Sequence, residues 1–334
     1  MAFFSPAPLP KSKLGFYRKL STAAGVHVSP IALGGGNIGN KMKRFKLLDA
    51  YHDLGGNFID TANAYPGAFR DQIFVATKYT NSPAIRDPNV AQKIQFSGNS
   101  LKSMHVDSIL SYIDLFYVHW WDFTTSIPEL MQALHGLVLS RKVLYLGISD
   151  APAWVVTKAN QYARDHALTQ FSVYQGMWSI LERSFERDII PMARDEGIAL
   201  APWAVLAGGR FALTLRKRPS PVFGEKGAPT TVELNGSAPK TRSRSAGLLR
   251  RSQAKLGRRA SAPFAIAYVL HKTTFVFPII GGPLDIALTD EHLRFLDSVA
   301  PVGLGFPHNM ILFSNNANGH PAYWPAAKPI SPAK

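Results

Sequence analysis

The sequence predicts an α/β protein closed as a (β/α)8 TIM barrel. Three observations carry this prediction. Eight short apolar segments recur along the 334 residues, and helical patterns separate most of them. The segments are rich in β-branched and aromatic residues and mostly apolar throughout, as strands covered on both faces should be. Polar or aromatic residues stand at the C-terminal ends of successive segments, the rim where barrels of this architecture carry their sites.

The strand candidates, in order, are 30–36 (PIALGGG), 57–62 (NFIDTA), 72–79 (QIFVATKY), 112–121 (YIDLFYVHWW), 143–150 (VLYLGISD), 171–178 (FSVYQGMW), 198–205 (IALAPWAV) and 275–282 (FVFPIIGG). Between the first two, KRFKLLDAYHDLGG places Leu47, Tyr51 and Leu54 on one helical face and ends at a glycine pair suited to a C-cap. The helix over SIPELMQALHGLVLSRK opens with Ser126 and, three residues on, Glu129, a capping box, with Pro128 in its first turn. APAWVVTKANQYARDHA and FERDIIPMARDEG continue the alternation. One connection is unusual. Only Asn63 to Asp71 separate the second strand from the third, and parallel strands normally need a crossover of about a dozen residues or more. Nine residues reach at most about 30–32 Å, enough to return along a strand only in extended form. The barrel is therefore expected with one or more crossover helices missing or shortened. The domain reading is an N-terminal extension over 1–24, a barrel over 25–312 with a long loop at 206–245, and a Pro-rich tail over 313–334.

Composition narrows the classes. There are no cysteines, which excludes disulfides, thiolate metal sites and a thiol nucleophile, and no metal site is expected. Prolines interrupt the N-terminus where a signal peptide needs an apolar run, and no apolar stretch is long enough to span a membrane. A soluble, cytoplasmic protein is expected. The formal net charge is +15, and the segment 240–260 holds eight Lys or Arg residues and no acid. That segment reads as a solvated helix and loop, with polyanion binding as its alternative; no nucleic-acid-binding motif accompanies it.

A rival architecture starts from GGGNIG. Gly34, Gly36 and Gly39 match G-x-G-x-x-G between a strand and a helix, and Asp60 ends the next strand. That is the pattern of a dinucleotide-binding Rossmann unit. A Rossmann domain would concentrate its cofactor site there, whereas this chain spreads chemically capable residues over many strand ends.

Those residues suit proton transfer. Asp60 ends the second strand, Tyr65 lies just beyond, Lys78 ends the third, and His119 ends the fourth, followed by Trp120 and Trp121. Ser149 and Asp150 end the fifth, Gln175 the sixth and Trp203 the seventh. A phenol titrates near 10, too high for easy proton exchange at neutrality. A nearby ammonium lowers that value, and an aspartate keeps the lysine charged and oriented. An imidazole can hold a carbonyl oxygen by hydrogen bonding. The set suits protonation of a carbonyl oxygen while hydride arrives at carbon, and the hydride must come from a cofactor.

At these residues the chain resembles the aldo-keto reductase superfamily, and most of all its fungal aryl-alcohol dehydrogenase and norsolorinic acid reductase branch. The segments that carry the resemblance include FKLLDAYHDLGGNFIDTANAY, RDQIFVATKY, YIDLFYVHWWDFTTSIPELMQALHGLV, KVLYLGISDAPAWVV, FSVYQGMWSILERSFERDIIPMARDEGIALAPW and GFPHN. The resemblance implies a (β/α)8 barrel that uses NADPH. It implies Tyr65 as general acid, Lys78 and Asp60 as the groups that tune it, and His119 as the residue orienting the carbonyl. It places Ser149, Asp150 and Gln175 on the nicotinamide carboxamide and Trp203 against the nicotinamide ring. Gly208, Gly209 and Arg210 fall in the loop over the pyrophosphate, and Gly281 and Gly282 join the cofactor set. Trp120 and Trp121, with little charge nearby, favour a bulky apolar substrate.

Three departures from the family pattern stand out. The helix between Tyr65 and the lysine strand is absent, the helix before the fourth strand is shortened, and Pro283, Leu284 and Asp285 replace a basic segment that grips the 2′-phosphate. A carboxylate repels a phosphate, so NADH is the alternative carrier. The expected function is reduction of an aromatic or polyketide-like aldehyde or ketone in fungal secondary metabolism. The alternatives are a catalytically impaired homologue and, further off, a nucleic-acid-binding protein acting through 240–260.

Overall fold

A computed structural model of the chain describes residues 9–35, 41–61, 72–79, 112–206 and 261–280. Tyr65, Gly36, Gly39, Gly208, Gly209, Arg210, Gly281 and Gly282 lie outside the described residues. So do the connection 62–71, the region before the fourth predicted strand, Pro283 to Asp285, most of the long loop, the basic segment 240–260 and the tail. Two compact units divide the chain: Met1–Gly176 with Met192–Ala201, and Met177–Pro191 with Pro202–Lys334.

The first unit opens with a two-residue antiparallel pair, β1 (Arg18–Lys19) and β2 (His27–Val28). Along the chain seven strands then follow: β3 (Ala32–Gly34), β4 (Phe58–Asp60), β5 (Phe74–Tyr79), β6 (Ile113–Val118), β7 (Val143–Ser149), β8 (Phe171–Met177) and β9 (Ala199–Trp203); the last residue of β8 and the last two of β9 fall in the second unit. Each lies beside the next in chain order, and the pairs from β3 to β8 are parallel. The eighth barrel strand, β10 (Ile279–Ile280), belongs to the second unit. Helices α1 (Lys41–Asp53), α2 (Ile127–Leu139), α3 (Ala153–Asp165), α4 (Phe185–Asp195) and α5 (Ser261–Lys272) occupy the connections. The fold is a (β/α)8 barrel. A doubly wound sheet would reverse its strand order partway, so the Rossmann alternative falls although Gly34 and Asp60 pair across β3 and β4.

Local chemistry explains the elements. Every residue of β6 is buried, as a strand covered on both faces requires. Each fully buried Leu or Phe contributes about 1.5–3 kcal/mol. Asp114 is polar within that strand because its Oδ2 accepts the Val75 N–H of β5 at 2.9 Å. Ser126 Oγ accepts the Glu129 N–H and starts α2 as its capping residue. At the end of α1, Gly55 adopts φ +90°, its N–H meets the His52 carbonyl, and the Gly56 N–H meets that of Tyr51. That is a Schellman ending.

The apolar face of α1 differs from the predicted one. Tyr51 is buried and Leu48 packs beside it, but Leu47 and Leu54 are exposed. The inward stripe runs through Leu48 and Tyr51, three residues apart; Leu47 flanks it, and Leu54 already sits past the helix in the turn. Tyr51 then acts as a pin. Its hydroxyl donates to the Ile31 carbonyl at 2.7 Å and lies 3.0 Å from that of Phe58, joining the entries to β3 and β4. Burial pushes this phenol up to about 12.

The second unit holds a cluster around Glu186 of α4. Its Oε1 accepts the Trp178 indole N–H at 3.1 Å, the Arg183 Nε–H at 2.9 Å and the Tyr268 hydroxyl at 2.9 Å. Its Oε2 accepts from Arg183 Nη2 at 2.8 Å, with Lys272 Nζ at 3.6 Å. Burial works against ionisation of Glu186, but the Arg183 hydrogen bond and the Lys272 and Arg183 charges outweigh it and bring the carboxyl down to about 2. No helix among the described residues is long and apolar enough to cross a membrane.

Candidate active site

Strand parity and register assemble the site. Successive side chains of a strand point to opposite faces, and partners across parallel strands share a face. Lys78 of β5 lies opposite Tyr117 of β6, Tyr117 opposite Gly147 of β7, and Ser149 opposite Gln175 of β8. Stepping by two from Tyr117 reaches His119, and from Gly147 reaches Ser149. A bulge refines the alignment: Leu146 pairs with Phe171 but Gly147 with Val173, so Ser172 is the extra residue. Its hydroxyl donates to the Leu146 carbonyl at 3.1 Å. Without that extra residue Ser149 would stand opposite Tyr174. Bulges beside active sites re-aim side chains in this way.

The centre is the Lys78–Asp60 pair. Lys78 Nζ donates to Asp60 Oδ1 at 2.9 Å and Oδ2 at 2.8 Å, and to the Thr61 carbonyl at 3.2 Å. The lysine side chain is 5% exposed and the aspartate 10%. A buried pair of this kind holds only when its remaining lone pairs and protons are met. Gln175 meets one of them, its Nε2 donating to Asp60 Oδ1 at 2.9 Å from 115 positions away in the chain.

His119 follows β6, and its N–H donates to the Tyr79 carbonyl at 3.3 Å. Burial and then the Lys78 ammonium push its imidazole down to about 4. It is neutral at physiological pH and can offer one N–H to an oxygen acceptor. Trp120 stacks on it at 4.8 Å between ring centroids. Trp121 is buried, while Trp120 is half-buried.

Ser149 is fully buried and its Oγ donates to Asp150 Oδ2 at 3.2 Å. Asp150 adopts φ +43°, a left-handed conformation that Asn and Asp tolerate best among residues with a Cβ. Its N–H donates to the Gln175 carbonyl at 2.9 Å. The predicted residues Asp60, Lys78, His119, Ser149, Asp150 and Gln175 therefore share one end of the first unit. Trp203 ends β9 in the second unit, where its carbonyl accepts the Trp178 N–H at 3.2 Å.

Sequence reading missed Tyr117, Thr61 and Gly147. The signal for Tyr117 was its position two residues before His119, on the same strand face. Gly147 carried no local signal, because its role depends on the ring across from it.

The residues fit a nicotinamide group by the chemistry of their donors. The buried Ser149 hydroxyl and the Gln175 side-chain amide stand opposite each other on adjacent strands, a donor–acceptor set that matches a carboxamide. A barrel with a buried acid–lysine pair, a neutral imidazole and such an amide set is the framework of a carbonyl oxidoreductase. Comparison with known proteins agrees. The Aldo/keto reductase family model matches residues 30–287, and the chain belongs to that family. It is 41% identical to an aryl-alcohol dehydrogenase (NADP(+)) of Phanerodontia chrysosporium, with all of both chains covered. That alignment spans 388 positions, more than the 334 residues here, so the relative carries segments this chain lacks. It is 41% identical to norsolorinic acid reductase B of Dothistroma septosporum over 88% of this chain and 84% of the relative. It is 40% identical to a norsolorinic acid reductase of Aspergillus flavus, over 91% and 86%.

Proposed function

We propose that this aldo/keto reductase reduces an aromatic or polyketide-like aldehyde or ketone to the alcohol with NADPH. The observation that carries the reading is the buried Lys78 ammonium, held by Asp60, which Gln175 braces in turn, beside a neutral His119. The names of the relatives, aryl-alcohol dehydrogenase and norsolorinic acid reductase, support the substrate class. The reading extends to a role in fungal secondary metabolism, in the cytoplasm. The domain division accompanies this reading: extension 1–24, barrel 25–312, tail 313–334.

When bound, the nicotinamide supplies the hydride. The chain's own work is to place the carbonyl and move a proton. By the resemblance, Ser149, Asp150 and Gln175 would hold the carboxamide, Trp203 would cover the ring, Gly208, Gly209 and Arg210 would belong to the loop over the pyrophosphate, and Gly281 and Gly282 would join the cofactor set. His119 donates one N–H to the carbonyl oxygen, and its neutrality leaves the proton step to another group. Tyr65 gives that oxygen its proton. The Lys78 charge favours the phenolate that remains, and Asp60 keeps the lysine in place. Trp120 and Trp121 shape the apolar side of the pocket.

The test is Tyr65→Phe. It should lower kcat/KM for an aromatic aldehyde by about 10²–10⁴-fold while fluorescence quenching still shows saturable NADPH binding. Full activity in a folded Tyr65→Phe protein would remove the mechanism. Parallel titration with NADH decides the carrier, since Pro283, Leu284 and Asp285 stand where a phosphate-gripping basic segment would lie. Absence of binding by either cofactor would favour the impaired-homologue reading.

A further inference from the structure

Tyr117 lies at the middle of this network, yet the reaction as derived above does not use it. It is fully buried on β6. Its ring faces the Lys78 ammonium, 5.3 Å from Nζ to the centroid. All three protons of that ammonium are already directed at Asp60 Oδ1, Asp60 Oδ2 and the Thr61 carbonyl. The ring therefore meets the lysine through its π face, not through its hydroxyl.

Three further observations define the role. Burial and then the Asp60 charge push the Tyr117 phenol well above its ordinary value, which makes it a poorer proton donor than an ordinary phenol. Its buried hydroxyl makes no well-formed hydrogen bond, although the Gln175 side chain lies beside it. Gly147 supplies the space beneath. A Cβ there would lie 2.5 Å from Tyr117 Cδ1 and 2.6 Å from Cε1, so any larger residue would displace the ring.

We propose that Tyr117 is a positioning residue: its ring face holds the Lys78 ammonium at the strand ends, and Gly147 is the floor that lets the ring lie there. The inference rests on the reading of Lys78 as the partner of the reacting phenol. Desolvated cation–π contacts are strong enough to matter for a flexible lysine. The hydroxyl is dispensable in this scheme, while the ring is not.

The experiment compares three full-length variants. Tyr117→Phe keeps the ring face and should retain wild-type kcat with NADPH and an aromatic aldehyde. Tyr117→Leu should lower kcat about tenfold, with both KM values within about twofold. Pentafluorophenylalanine at position 117 has nearly the shape of Phe with the ring charge distribution inverted, and should behave like Leu. Because it is no smaller than Phe, a loss of packing cannot account for its effect. An NMR arm uses ¹³Cε-labelled lysine. The Lys78 signal, identified by its disappearance in Lys78→Met, should show a ring-current shift in wild type and Tyr117→Phe, and lose it in Tyr117→Leu. The proposal is overturned by a pentafluoro variant with the kcat of Tyr117→Phe, or by an unmoved Lys78 signal in Tyr117→Leu. The NMR arm reads the ring–lysine contact even in a chain that turns over no aldehyde, so failure of the proposed reduction is told apart from failure of this inference.

Discussion

Lys78 in the first unit and Glu186 in the second are both buried ions, and they are held in opposite ways. Glu186 receives donors from Trp178, Arg183 and Tyr268, with a second cation, Lys272, close by. Two positive charges surround one negative charge, and the carboxylate is spent on its partners. Lys78 has one carboxylate, one carbonyl and one aromatic face. Its charge is still felt outside that set, because it helps hold His119 neutral. One cluster consumes its charge to join segments. The other keeps a charge in place so that it can act on neighbours. Burial of an ion thus says little about role until the partners are counted.

The largest expected effect separates the two. Lys78→Met should lower kcat/KM by at least about 10²-fold and also destabilise the fold by leaving Asp60 unpaired. Adding Asp60→Asn should recover the melting temperature and not the turnover. If activity returned along with stability, Lys78 would be structural, like the Glu186 cluster.

Glu186→Gln should be the mirror image. It strands Arg183 and Lys272 and should cost about 3–5 kcal/mol in a denaturant titration, with kcat changed by less than about twofold below the unfolding temperature. A large kcat loss in a still-folded variant would mean that the Glu186 cluster also serves turnover.

Acid should erode the second cluster. The folded carboxyl of Glu186 sits near 2, below its ordinary 4.5. Its contribution is therefore fully present above about 4.5 and is lost as pH falls through the folded value. That contribution is on the order of 3 kcal/mol. The wild-type melting temperature should fall across this window more steeply than that of Glu186→Gln; equal slopes would contradict the ion cluster.

The smallest effect is a silence. His119 should show no titration between pH 5 and 8 in histidine ¹⁵N spectra, with its midpoint near 4. In Lys78→Met the midpoint should rise, because a cation that disfavours the imidazolium is gone. A midpoint near 6.5 in wild type would mean the ammonium does not reach the imidazole.

Much of this was legible in the chain. All eight strand segments are present, with ends trimmed by a few residues, and so is the capping role of Ser126. Asp60, Lys78, His119, Ser149 and Gln175 were legible as strand-end residues because backbone periodicity is local. An alternation of two and a helical repeat of 3.6 can be counted without knowing what packs against what. The face of α1 was misread for a related reason. Leu47, Tyr51 and Leu54 fit the helical period, but the docking of the helix selected the neighbouring stripe of Leu48 and Tyr51.

By itself, then, the sequence determined the order of elements and the parity that sends the candidate residues to one face. Only the tertiary structure decided which atoms meet. The Gln175 amide reaches Asp60 across 115 positions because β8 carries an extra residue at Ser172. Tyr117 lies under Lys78 because Gly147, on the next strand, has no Cβ to displace the ring. Register between strands distant in sequence is set by closing and packing the sheet, and no local pattern encodes it.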